Sequence, residues 1–106
     1  MFYELRHYQT QPGKRDEWVR YMEENIIPFQ VSKGMVIVGS FVDEEHEDSY
    51  FWIRRFDSEE HRKELYAAVY DSDHWKNEIA PPIGELLKRD AAVITRIVPT
   101  SRSVLH

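Results

Sequence analysis

Residues 34–56, GMVIVGSFVDEEHEDSYFWIRRF, contain two runs suited to extended backbone, Met35–Val42 and Ser49–Phe56, on either side of an acidic link. Val36, Ile37, Val38 and Ile53 are β-branched, and Phe41, Tyr50, Phe51 and Trp52 are aromatic. Such side chains pack well on a pleated surface. The link has five acids among the six residues from Asp43 to Asp48. Like charges repel and stay in water, so the segment predicts a hairpin with a solvated tip. Both runs are apolar on both sides, and strands of that kind need a cover over each face.

Toward the N-terminus, Trp18, Val19, Tyr21, Met22, Ile26 and Phe29 recur at three- and four-residue steps, with Lys14, Arg15, Glu17, Glu23 and Glu24 filling the gaps. This spacing predicts an amphipathic helix that Pro28 ends or kinks near Ile27. TQPGK (10–14) separates it from MFYELRHY (1–8). As a strand, that stretch turns Met1, Tyr3, Leu5 and His7 to one side and Phe2, Glu4, Arg6 and Tyr8 to the other. Toward the C-terminus, FDSEE (56–60) starts a helix, with Asp57 or Ser58 as its cap. Glu59 and Glu60 fall in the first turn, where the helix dipole favours negative charge. Leu65, Ala68 and Val69 are its expected buried stripe. YDSD (70–73) interrupts, helical spacing resumes through Trp75 and Ile79, Pro81 and Pro82 break it again, and AAVITRIV (91–98) reads as a last strand.

The order is strand, helix, strand, strand, helix, strand. This predicts an α+β, ferredoxin-like βαββαβ fold, a four-stranded antiparallel sheet with helices on one face. A length of 106 residues suits one domain over 1–106. Helices cover only one side of such a sheet, so the strands apolar on both sides predict a homodimer in which a second copy covers the other. Glu4, Arg6, Tyr8, Tyr50, Trp52 and Arg54 are then expected to face the interior shared between the two sheets, with Arg96 able to join them.

Composition excludes several functions. A net charge of -5 with scattered arginines opposes nucleic-acid binding. No window is long and apolar enough for a membrane span, and the start does not read as a secretory signal. The chain has no cysteine, which rules out disulfides, thiol catalysis and zinc–thiolate sites and fits the reducing cytoplasm. Serine-nucleophile motifs and glycine-rich phosphate loops are missing as well, so no cofactor is expected and no residue is assigned to catalysis.

The pattern YELRHY (3–8), QPGK (11–14), a helix ending in PF (28–29), GMVIVGSF (34–41), and an aromatic strand leading into FDSEEHRKELYAAVYDSDHWKNEI (56–79) resembles the NIPSNAP family. The resemblance runs from about Phe2 to Val98. It implies a dimeric α+β barrel, in which two ferredoxin-like units join their sheets, and it implies no agreed reaction. Relatives in that superfamily include cofactor-independent monooxygenases, haem-degrading enzymes and small isomerases. The leading expectation is a homodimer binding a small, partly apolar molecule. A cofactor-independent monooxygenase or haem-handling enzyme, and a non-catalytic assembly module, are the alternatives.

The candidate ligand-binding set is Glu4, Arg6, Tyr8, Trp52 and Arg54. In one reading an arginine holds an anionic or carbonyl group while Tyr8 and Trp52 cover an apolar body. In the other, Glu4 pairs with Arg6 or Arg54 so that neither charge is buried alone. His7, His61 and His74 are possible proton carriers or haem ligands. Asp71, His74 and Glu78 share one helix side, although a cap followed by a surface histidine accounts for the same letters, and no metal is expected. Tyr66, Tyr70 and Trp75 read as helix-to-sheet packing.

Overall fold

A computed structural model describes residues 1–106. Strands β1 (Phe2–Gln9), β2 (Val36–Val42), β3 (Ser49–Phe56) and β4 (Val93–Ile97) form a 4-stranded sheet in the order β2-β3-β1-β4, each neighbouring pair antiparallel. This is the ferredoxin-like topology expected. Directly opposed residues share a face. Glu4 lies opposite Arg54 on one side and Arg96 on the other, Arg6 opposite Trp52, and Tyr8 opposite Tyr50.

The first helix does not end at Pro28. Helix α1 (Arg15–Tyr21) passes through a π-helical turn (Met22–Ile26) into α2 (Ile27–Ser32), with Pro28 in the opening turn of α2. Proline removes a helical donor and crowds the carbonyl four residues back, and the wider π turn makes room for it. The turn also resets register. At about 100° per residue, steps of four drift by about 40° each, and one inserted residue takes back about 100°. Trp18, Met22, Ile26 and Gln30 therefore stay on one side, and all four are buried. A second π turn, Trp75–Ile79, precedes Pro81 and Pro82 and leads to the short α4 (Ile83–Leu86).

Helix α3 (Glu59–Tyr70) is capped by Ser58, whose Oγ accepts a hydrogen bond from the His61 backbone N–H at 3.1 Å. Leu65 and Val69 are buried as expected, but Ala68 is exposed. Half-buried Tyr66 and Arg62 hold the remaining sheet-facing positions, because both reach polar partners there.

One buried cluster gathers Trp18, Met22, Ile26, Tyr50 and Trp52, and another gathers Phe2, Met35, Phe56, Leu65 and Val69. Both lie on the helix-covered face, on either side of the Glu4–Arg54 pair along the register. This corrects one expectation: the even side of β1 and β3 packs beneath the chain's own helices. The physical reason is that α3 supplies the partners Glu4 and Arg54 need.

The open face carries Tyr3, Leu5, His7, Phe51, Ile53 and the odd residues of β4. Phe41 and Val93 are 53% and 56% exposed. Gly39 follows a break in the β2 register, and a side chain there would collide with the Phe41 ring. The segment after β4 folds back over one end of this face. Val98, Pro99 and Leu105 gather with Tyr3, Ile53 and Ile97 around a small hollow, and Arg55 Nε donates to the His106 carbonyl at 3.1 Å. The acidic hairpin tip is held as well as solvated, since Arg15 Nη1 donates to the carbonyls of Asp43 and His46, each at 2.8 Å.

Candidate functional site

Glu4 and Arg54 leave adjacent strands at opposed positions and meet at 2.9 Å, with 2% and 0% of each residue exposed. Buried ions persist when paired and fully hydrogen-bonded. The Arg54 guanidinium meets that condition at its outer nitrogens. Nη1 donates to Gln30 Oε1 at 2.9 Å and Tyr70 Oη at 2.8 Å, and Nη2 donates to Glu4 Oε1 at 2.9 Å and Tyr66 Oη at 2.8 Å. Glu4 Oε2 accepts from Arg62 Nε at 2.9 Å and from the Tyr66 hydroxyl at 2.7 Å. Burial pushes the Glu4 carboxyl up, but the hydrogen bonds from Arg62 and Tyr66 and the Arg54 charge outweigh it and leave the pKa lowered. Glu4 is therefore a carboxylate at neutral pH.

Arg6 stands apart. Its Nη1 donates to Tyr66 Oη at 3.3 Å and lies 3.8 Å from Glu4 Oε1. Three guanidinium groups, Arg6, Arg54 and Arg62, thus surround one carboxylate, and the region is electropositive.

Beside this network lies a cavity of about 60 Å³ lined by Tyr8, Trp18, Trp52, Tyr70 and Trp75 together with aliphatic side chains and Gln30. Each π turn contributes to its wall, Met22 and Ile26 from one and Trp75 from the other. π turns recur at functional sites because they displace side chains from regular helical register. The Tyr21 hydroxyl, at the end of α1 just before the first turn, donates to the Ile79 carbonyl of the second at 2.6 Å. The indole N–H groups of Trp18 and Trp52, residues only 1% and 2% exposed, have no hydrogen-bond partner. Burial pushes the Tyr8 phenol up, with the Arg6 charge and the nearby Trp52 N–H acting against it, so Tyr8 stays protonated.

The structure brings the five sequence-chosen residues, Glu4, Arg6, Tyr8, Trp52 and Arg54, to one face. It supports charge pairing for Arg54 and Glu4, while Tyr8 and Trp52 line the cavity. Arg96 does not join them; it pairs with Glu59 at 2.8 Å and lies over the Phe2 ring. Arg62, Tyr66, Tyr70, Gln30 and Trp18 were missed as polar contributors. Arg62, Tyr66 and Tyr70 recur at four-residue steps, a polar-aromatic stripe beside Leu65 and Val69 that could have revealed them. His7 stacks on Phe51 on the open face, His61 sits beside the α3 cap, and exposed His74 lies against the Phe29 ring. Asp71, His74 and Glu78 do not converge, and no three His, Asp or Glu side chains gather into a metal-binding group.

Comparison with known proteins follows the fold closely. The family model described as NIPSNAP matches residues 3–102. Human Protein NipSnap homolog 3A is 26% identical over 99 residues, covering 93% of this chain, and the chain spans 40% of that protein's length. A crystal structure of a NIPSNAP family protein with unknown function from Agrobacterium tumefaciens is 27% identical with a TM-score of 0.89, covering 100% of this chain and 94% of that one. An antibiotic biosynthesis monooxygenase structure is 13% identical with a TM-score of 0.68, covering 94% of this chain and 99% of that one, a likeness of fold alone.

Proposed function

The chain belongs to the NIPSNAP family, and on that premise we propose that it is a homodimeric domain binding a small, partly apolar molecule beneath its helices. The observation that carries this reading is the aromatic cavity with two buried, unpartnered indole N–H groups beside an arginine-rich network. Unpaired buried donors are costly, and a ligand that accepts from them removes the cost. Tyr8 and Trp52 cover the ligand, while Glu4, Arg54 and Arg6 form the charged layer behind it. All three tryptophans line the cavity, so indole fluorescence reports on it directly. Titration with one- and two-ring aromatic compounds is expected to change that fluorescence saturably, and Ile83→Phe, which fills the cavity, is expected to abolish the response. An unresponsive parent protein would end this reading.

The homodimer is proposed because exposed Phe41, Val93 and Ile97 share the face that the helices leave bare. No helix is long and apolar enough to cross a membrane, and a cysteine-free chain loses no disulfide in the reducing cytoplasm, the compartment we propose. Cell fractionation checks it. A non-catalytic assembly module is the second reading, favoured by that same bare face and the small size of the cavity. It requires that Ile83→Phe leave the cellular role intact while loss of the dimer destroys it.

A further inference from the structure

We propose that the occupant is a neutral, flat ring compound whose carbonyl oxygen is taken by an unpartnered indole N–H, that of Trp52 or Trp18, rather than an anion taken by arginine. This rests on the small-molecule reading above and narrows it to a ligand class.

The spare hydrogen-bonding capacity of the cavity wall is almost all donor. The Trp18 and Trp52 indoles can only donate, and neither has a partner. Tyr70 Oη already accepts from Arg54 and, at 3.4 Å, from Gln30 Nε2, which leaves its own hydrogen uncommitted. Gln30 Oε1 is occupied by Arg54, so Gln30 offers only its amide hydrogens. The Tyr8 hydroxyl is protonated and lies near the Trp52 N–H. Apart from the Tyr8 oxygen, which can also accept, the wall offers donors, so a matching ligand presents chiefly acceptors.

The charge of that acceptor follows from Arg54. Its four Nη hydrogens meet four acceptors, Gln30, Tyr70, Glu4 and Tyr66; the Nε–H groups of Arg54 and Arg6 are unpartnered, but Arg54 does not line the cavity. Arg6 does not line the cavity. A carboxylate here would be buried without a touching cation, which is costly, whereas a ketone or quinone carbonyl suits neutral donors. The guanidinium acts at one remove. It lies 4.7 Å from the Trp52 ring centroid, drawing electron density from the indole and sharpening its N–H as a donor. The five aromatic rings of the wall favour a flat partner.

Room is the remaining requirement. An apolar cavity that holds benzene measures about 150 Å³, against about 60 Å³ here. Entry of a ring therefore requires the cavity wall to move outward.

The test uses three probes of similar shape, 1-tetralone, tetralin and 1-naphthoate, with the indole N–H resonances followed by NMR. Binding of 1-tetralone is expected to be about tenfold tighter than of tetralin, which lacks the acceptor, and tighter than of 1-naphthoate, with the Trp52 or Trp18 N–H signal moving downfield. Trp52→Phe or Trp18→Phe changes the apolar wall for both neutral probes, so the readout is their ratio: the roughly tenfold preference for 1-tetralone over tetralin should fall to about equality in at least one of the two variants. Tighter binding of 1-naphthoate, or equal binding of tetralone and tetralin, would overturn the ligand class while leaving the cavity as a binding site. Absence of binding by all three would overturn both.

Discussion

Arg54 and Arg55 are neighbours in sequence and opposites in circumstance. The Arg54 side chain is fully buried on the covered face, its outer nitrogens meeting four acceptors from β1, α2 and α3. The Arg55 side chain, 30% exposed on the open face, reaches only exposed Asp57 at 2.5 Å and the His106 carbonyl. The contrast extends along β3: Tyr50, Trp52, Arg54 and Phe56 are buried, while Phe51, Ile53 and Arg55 are only half-buried. What decides whether a charge can be buried is the set of partners arriving from other elements. The two faces of one sheet therefore do different work, one internally satisfied and the other still apolar and accessible.

The largest effect should come from breaking the covered face. Arg54→Met leaves the Glu4 carboxylate buried with fewer partners, and loss of one member of a buried pair costs about 3–5 kcal/mol. Glu4→Gln should cost a comparable amount by leaving Arg54 uncompensated. Arg55→Met, at a surface pair, should stay within about 0.5 kcal/mol. Urea denaturation of the three variants measures the contrast, and equal losses for Arg54→Met and Arg55→Met would erase it.

The open face should fail differently. Sedimentation of the parent at micromolar concentration is expected to show a dimer, as the proposed assembly requires. Val93→Glu puts a charge among exposed apolar residues of that face and should convert the dimer to monomer. A folded parent monomer at that concentration would remove the open face's proposed role.

Acid should select the covered face. The folded Glu4 pKa is lowered from 4.5 because hydrogen bonds from Arg62 and Tyr66 and the Arg54 charge overcome burial. Between the folded and unfolded values, the unfolded chain binds the proton more readily, so stability is full above the unfolded pKa and is lost as pH falls below about 4.5 through the folded one. Melting temperature measured against pH should drop in that range for the parent. Glu4→Gln, already destabilised, should show a smaller acid dependence, and an unchanged slope would mean that other carboxyls carry the acid response.

The element order was legible because its signals are local: alternation in MFYELRHY, three- and four-residue steps from Trp18 to Phe29, and the capping pattern before Glu59. Which side of the sheet the helices cover was not. Alternation sorts Glu4 and Arg54 onto one side without saying what covers it, and only the arrival of Arg62, Tyr66 and Tyr70 across a long sequence separation makes that side the core under the helices. Passage of the helix through Pro28 was hidden for a related reason. A proline reads as a stop unless one extra residue widens the turn before it, and that insertion has no composition of its own.

A smaller loss than that of Arg54→Met is expected at the helix that supplies the covered face with its partners. Helix α3 carries Arg62, Tyr66 and Tyr70 to the sheet, and its first turn is fixed by the Ser58 hydroxyl accepting from the His61 N–H. Ser58 touches neither the cavity nor the open face. Ser58→Ala removes the acceptor and should cost about 1 kcal/mol, the ordinary value of an N-cap. The loss should nevertheless reach the covered face, because fraying of α3 begins one turn from Arg62 and loosens its bond to Glu4. Amide hydrogen exchange should therefore quicken at the start of α3, with only a slight change in β2, the edge strand with no hydrogen bond to α3, whereas β4 is tied to α3 through Arg96 and Glu59. Uniform quickening over the whole chain would show instead that the cap acts on global stability alone and that the two faces open together.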